Sequence, residues 1–190
     1  RIYGGEQLLG ETVGNLLFTD SGFSGPAAMD LSHLVSARPG AALRAELDLL
    51  PHHRPEVEAL MAAQRGRPLP VRVALGAALP AKVPPVLLEL AAIPPEATLQ
   101  ALDDAALARL MHLIGSLSTR LTGTRSFQFA QLSTGGVPTS EVTPGEMASR
   151  RQAGLYLAGE ALDVIGPCGG YNLQWAWASG WLAGLAASAN

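Results

Sequence analysis

The sequence predicts an α+β protein of several parts, and three features carry that reading. Strand-like patterning occupies residues 2–20 and 43–50 and returns at 116–133. Between these stretches, residues 52–115 are rich in Ala, Leu and Pro and poor in β-branched and aromatic residues, which is the texture of short helices broken by proline. After them come a short apolar run, a glycine-rich loop and a longer apolar run reaching Ala187. The simplest assembly is a β-barrel-like or sandwich part, 1–51 with 116–143, and a small helical subdomain, 52–115, inserted into it. The β-loop-α piece, 144–190, then belongs to a separate layer.

Residues 2–20 alternate apolar and polar positions around Gly4, Gly5, Gly10 and Gly14. That predicts short antiparallel strands, with Leu16, Leu17 and Phe18 the most buried. Positions 22–26 read as a tight turn. Ser24 is placed to cap a helix over 27–35, and Pro26 suits its first turn, where a missing N–H costs nothing. In 43–50, Leu43, Ala45, Leu47 and Leu49 alternate with Arg44, Glu46 and Asp48, as in a half-exposed strand. Helices are predicted at 54–65, 71–78 and 86–92, broken at Pro80, Pro84-Pro85 and Pro94-Pro95. Asp103 or Asp104 caps a further helix over 105–114, whose Leu107, Leu110, Met111 and Ile114 share one face. Residues 116–122 and 127–133 predict a hairpin across Gly123-Thr124. The run 154–158 reads as a buried strand of a parallel sheet, and 173–187 as a helix that begins at Gly169-Gly170.

Apolar residues make up 48% and charged residues 15%, so a substantial core is expected rather than disorder. The formal net charge is -3, and no basic cluster exceeds Arg150-Arg151, which argues against a nucleic-acid partner. A single cysteine, Cys168, excludes an internal disulfide and a multi-cysteine metal site and fits a reducing, cytoplasmic setting. His52-His53 have no nearby acid at ligand spacing, so no metal site is expected. No leader-like stretch is evident, and the run to Ala187 is too short and glycine-broken to span a bilayer, so no membrane partner is expected.

The glycine loop carries the chemistry. Without Cβ atoms, Gly169 and Gly170 let a ligand approach the backbone closely. The N–H groups of the helix turn that follows have no intrahelical partner and lie at the positive end of the helix dipole. Such an end suits electron-rich oxygens.

Three stretches, in order, resemble the aminoacetone-oxidase-type FAD-binding proteins. GLYLAGEALD at 154–163 and GGYNLQWAWASGWLAG at 169–184 are similar to that family's GLYxAGExLD…GGYNLQxAxxSGxxAG. LFTDSGFSGP at 17–26 resembles its LFTHxGLSGP, and Ser133-Thr134-Gly135-Gly136-Val137 with Glu141, Val142 and Met147 resembles its TAGGV…EV…TMES. The resemblance implies a FAD-dependent oxidoreductase acting on a small organic substrate, such as an amine or ketone. It also implies a two-dinucleotide-binding, Rossmann-type FAD domain with β-barrel-like and helical inserts. In that family a GxGxxG motif lies near the N-terminus, and this sequence has none after an early strand. The expectation is therefore that these 190 residues are the later part of a longer flavoprotein, partnered by the missing N-terminal dinucleotide-binding half. Alone they are expected to bind FAD weakly or not at all. A rival reading from another class is a non-catalytic docking module in which the flavin motif only packs.

Carried over residue by residue, the resemblance places Glu160, beside Gly159, as acceptor of a ribityl hydroxyl. It sets the backbone of Gly169, Gly170, Tyr171, Asn172 and Leu173 along the flavin O2/N1 edge. Thr19, Ser24, Thr134 and Gly135 lie in loops that face the flavin region and are candidate substrate contacts. The plainer alternatives are a solvent-facing turn acid at Glu160, a glycine turn at 169–170 and cap chemistry at Ser24. No acid or base can be named. Asp20 stands where the family has His, so that residue's proton chemistry does not transfer. Cys168 precedes a helix start, where a thiol pKa can fall, yet no second cysteine exists for a redox pair. Trp175, Trp177 and Trp181 read as packing.

Overall fold

In chain order the elements are β1 (Ile2–Gly4), β2 (Gln7–Gly10), β3 (Leu17–Thr19), β4 (Gly22–Ser24), α1 (Pro26–Ser36), β5 (Leu43–Leu47), α2 (Arg54–Ala63), α3 (Val71–Gly76), α4 (Val83–Leu90), α5 (Asp104–Gly115), β6 (Leu117–Leu121) and α6 (Tyr171–Ser188). They belong to a computed structural model that describes residues 1–189. The chain divides into two units, Arg1–Glu11 with Ala41–Thr122, and Thr12–Gly40 with Gly123–Asn190.

The first unit joins a four-stranded antiparallel sheet, order β2-β1-β5-β6, to the helical block. Ile2, Leu43 and Ala45 fill its buried side, while Tyr3 and Arg44 pair on the other side, the guanidinium 4.1 Å from the ring centre. Because β2 and β6 are edges, these strands form an open sheet and not a closed barrel. The helices bury Met61, Leu75, Leu87, Leu88, Leu110 and Ile114 in one core. Asp103 caps α5 as its side chain predicts, Oδ1 accepting from Ala106 N at 2.6 Å. Pro84-Pro85 do not break a helix. They sit in the first turn of α4, whose N–H groups lack intrahelical acceptors in any case.

The expected hairpin does not form. Residues 117–121 pair along five positions with β5, whereas Phe127–Phe129 is a 3-10 turn with Phe127 80% exposed. Residues 117–121 take β5 as their partner instead, and the chain beyond Thr122 belongs to the other unit.

In the second unit, β3 and β4 form a two-stranded ribbon followed by α1. Leu17 and Phe18, expected to be the most buried, are both more than half exposed, because a two-stranded ribbon has no core of its own. Gly25, and not Ser24, caps α1: its φ is 86°, and a Cβ there would meet Asn15 O at 2.8 Å. The expected parallel strand at 154–158 is a single antiparallel bridge between Tyr156 and Ala148. It is closed by Ser149 N to Leu155 O and Leu157 N to Met147 O. Turns on both sides limit that pairing to one bridge, and among the described residues no second strand lies alongside. A small core of Val142, Met147 and Leu162 packs against Trp175, Leu182 and Ala183 of α6. Among the described residues no helix is long and apolar enough to cross a membrane.

Candidate functional site

The site is built around the first two turns of α6. Asn172 clamps the loop before it: its Oδ1 accepts from Gly166 N at 2.7 Å, and its Nδ2 donates to Gly166 O at 2.8 Å. The loop between them turns through Gly169 and Gly170, with φ of 125° and 93°. A Cβ at Gly170 would meet nothing within 4 Å, so that peptide faces open space. Gln174 N makes the first bond of the helix, to Gly170 O at 2.9 Å. The N–H groups of Tyr171, Asn172 and Leu173 therefore precede the intrahelical ladder. Gly169, Gly170, Tyr171 and Leu173 are all exposed.

The second and third turns of α6 pin Gly159. Gly159 N donates to Ser179 Oγ at 2.9 Å, and Trp175 Nε1 donates to Gly159 O at 3.1 Å. With its φ of 61°, Gly159 turns the chain sharply and leaves the next residue, Glu160, exposed. Glu160 Oε1 accepts from both the N–H and the hydroxyl of Ser133, the latter at 3.0 Å. Two residues on, Gly135 N donates to Asp163 Oδ1 at 3.0 Å. Gly136 passes so close to the 161–163 backbone that a Cβ would lie 2.7 Å from Leu162 C. Val137 N to Ala161 O and Asp163 N to Val137 O then close a single parallel bridge.

Thus Gly159 packs on α6, and Glu160 and Asp163 just after it anchor Ser133 and Gly135, with Thr134 exposed between them. Thr19 ends β3, where its hydroxyl donates to Gly22 O at 2.8 Å, and Ser24 stands on β4 opposite Leu17. Sequence reasoning missed Ser133, Asp163 and Ser179 as organisers. Trp175 and Ser179 stand four apart on one helix face, a legible pairing, but nothing local marks Ser133. The thiol of Cys168 is not lowered by the helix start. Burial and the carboxylate of Asp30 raise its pKa, and Asp30 also accepts from Cys168 N at 2.7 Å. Among the described residues no three or more His, Cys, Asp or Glu cluster as for a metal ion.

A left-handed glycine turn thus opens onto a helix start whose next turns pin Gly159 beside an exposed acid. Residues 21–186 match the HI0933-like protein Rossmann domain. The chain belongs to that family. It is 36% identical over 193 residues to the 3-dehydro-bile acid delta(4,6)-reductase of Clostridium scindens, covering 97% of this chain and 46% of that protein. It is 33% identical over 173 residues to the ribosomal RNA dihydrouridine synthase of Haemophilus influenzae (91% and 42%). To that of Escherichia coli it is 34% identical over 169 residues (88% and 40%). The chain spans less than half the length of each of these relatives. Their names are those of a reductase and of dihydrouridine synthases, so the likeness to aminoacetone oxidases holds at the level of the FAD-binding superfamily.

Proposed function

We propose that this chain is the flavin-facing part of a FAD-dependent oxidoreductase that reduces a carbon–carbon double bond conjugated to a carbonyl in a small organic molecule. The observation that carries the reading is the open run of peptide at 169–173, set on the same helix that pins Gly159 beside an exposed Glu160. That arrangement fits a flavin. The amides of Tyr171, Asn172 and Leu173 are free to receive its electron-rich pyrimidine edge, and Glu160 is free to accept from a ribityl hydroxyl. When bound, the cofactor supplies a two-electron reduction, in which hydride reaches one carbon of the double bond and a proton the other. This chain's residues hold negative charge through fixed N–H dipoles and the helix end. Thr19, Ser24, Thr134 and Gly135 remain the candidate substrate contacts of this reading.

The substrate class follows from chemistry shared by the relatives' names. Reducing a 3-dehydro, delta(4,6) steroid and making dihydrouridine both add hydrogen across a double bond conjugated to a carbonyl. That reading replaces an amine with an enone. A net charge of -3 offers no phosphate-gathering field, which favours a small molecule over RNA.

The working unit in this reading includes an N-terminal dinucleotide-binding half. Helix α6 carries no charged residue and exposes Leu173, Trp177, Trp181 and Leu185 at steps of four. A helix apolar on all sides is normally buried, and the relatives' greater length offers the chain to bury it. The test is the absorption spectrum of the native gene product carrying these residues. Flavin bands, bleached by dithionite and restored by a 3-oxo-4-ene steroid, are expected. A colourless protein overturns the flavin reading, and restoration by uridine-containing RNA alone overturns the small-molecule assignment.

A further inference from the structure

Residues 123–135 are built as a strap. Glycines with left-handed φ stand at both ends, Gly123 at 150° and Gly135 at 87°, and neither has an atom within 4 Å of the Cβ it lacks. Between them lies an unusually apolar, uncovered tip, with Phe127 80%, Phe129 58% and Leu132 41% exposed. Arg125 stacks its guanidinium 3.6 Å from the Phe129 ring centre. The far end of the strap is fastened by two carboxylates, Ser133 to Glu160 and Gly135 to Asp163. Glu160 uses only Oε1 for this; among the described residues its Oε2 accepts no hydrogen bond.

We propose that this strap is the substrate-selecting wall of the flavin site, with Phe127 and Phe129 as specificity-determining residues and Glu160 as the positioning residue that couples strap to cofactor. The proposal rests on the flavin reading above. One oxygen of Glu160 holds the strap and the other is left for a cofactor hydroxyl, so a single carboxylate sets the relative place of both. Phe129 is four residues from the anchored Ser133, so its backbone stays within about 14 Å of that anchor. The exposed Phe127 ring and the Phe129 face opposite Arg125 are a surface for a flat, apolar ring system, which they would cover by stacking. The substrate class that fits is a fused-ring or cyclic enone, not a sugar or a nucleotide. Gly123 supplies the backbone freedom at the unfastened end of the strap, while Ser133 and Gly135 hold the other end.

Two measurements test this. In the first, which does not read the flavin, trypsin cleavage after Arg125 is timed in the native gene product carrying these residues. Glu160→Ala frees the anchor and speeds the cut about tenfold, while Glu160→Gln, which keeps an acceptor oxygen, speeds it less. Equal rates in all three proteins overturn the anchoring role. In the second, the flavin-loaded native gene product carries Phe127→Ala and Phe129→Ala together. Its flavin spectrum is expected unchanged, and KM for a 3-oxo-4-ene steroid is expected to rise about tenfold. KM for cyclohex-2-enone, too small to span both rings, stays within about twofold. Equal changes for the two probes, or none, overturn the selecting role with the flavin reading intact. Flavin-free wild-type protein overturns that reading, and with it the substrate role of the strap.

Discussion

Ser179 and Gly159 are joined by a buried hydrogen bond: the serine hydroxyl accepts from the glycine N–H at 2.9 Å and donates in turn to Trp175 O at 2.6 Å. Ser179 is fully buried, the one buried polar side chain among the described residues. Its hydroxyl is what lets a buried glycine N–H turn the chain outward at Glu160.

Ser179→Ala therefore strands the Gly159 N–H away from water. The loss is about 1–3 kcal/mol, the desolvation cost of an unpaired buried donor. For a chain of this length each kcal/mol lowers Tm by about 2–4 °C. Thermal melts followed by circular dichroism measure it, and an unchanged Tm would show that water or a neighbour replaces the hydroxyl.

Gly136 and Gly145 make a controlled pair. A Cβ at Gly136 would lie 2.7 Å from Leu162 C and 2.8 Å from Ala161 O, both backbone atoms that cannot swing aside. Gly145 has a φ of 84° and nothing within 4 Å, so a side chain there meets strain alone. Gly145→Ala is expected to cost about 1–2 kcal/mol. Gly136→Ala is expected to cost more, because it also forces apart the bridge that sets Gly135 against Asp163. Urea midpoints rank the two, and the reverse order would mean that the 161–163 backbone yields.

Much of this architecture was legible because it is local. The Asp103 cap, the Leu110 and Ile114 face and the glycine turn before α6 each rest on residues a few positions apart, where propensity and spacing act. The failures are long-range. The strand texture of 127–133 is real, but strands need partners, and the one expected, 117–121, pairs with β5 instead. Leu17 and Phe18 look like core because apolar runs usually are, yet what covers a ribbon is not written in its own residues. In the candidate site, the motif singles out Gly159, Glu160 and the 169–173 run without naming what anchors them. Ser133 could not be read, since its role depends on a carboxylate 27 positions away.

Acid should loosen the first unit through Glu46. Burial works against its ionised form, but hydrogen bonds from Arg44, Arg1 and Ser116 outweigh burial and hold its pKa below the ordinary carboxylate value. A depressed folded pKa contributes stability that is present above the unfolded value and is lost as pH falls through the lower folded one. The partners are partly exposed, so the effect is modest. Urea midpoints at pH 6 and pH 3 should fall less in Glu46→Gln than in the parent protein. Parallel losses would place the acid sensitivity elsewhere.

Cys168 gives the opposite sign. Burial first, and the Asp30 carboxylate second, raise its thiol pKa above the free value. A raised folded pKa stabilises the native state below the unfolded pKa, and that contribution is lost as pH rises through the folded one. At pH 8 the thiolate fraction is therefore smaller than in a free cysteine, and since the thiolate is the nucleophile, iodoacetamide should alkylate native Cys168 more slowly than the urea-unfolded chain. Asp30→Asn removes the negative charge and keeps an acceptor for Cys168 N, so the native rate should rise while the fold persists. Native alkylation as fast as in urea would show a thiol activated by the start of α6, and would return this cysteine to the set of candidate redox groups.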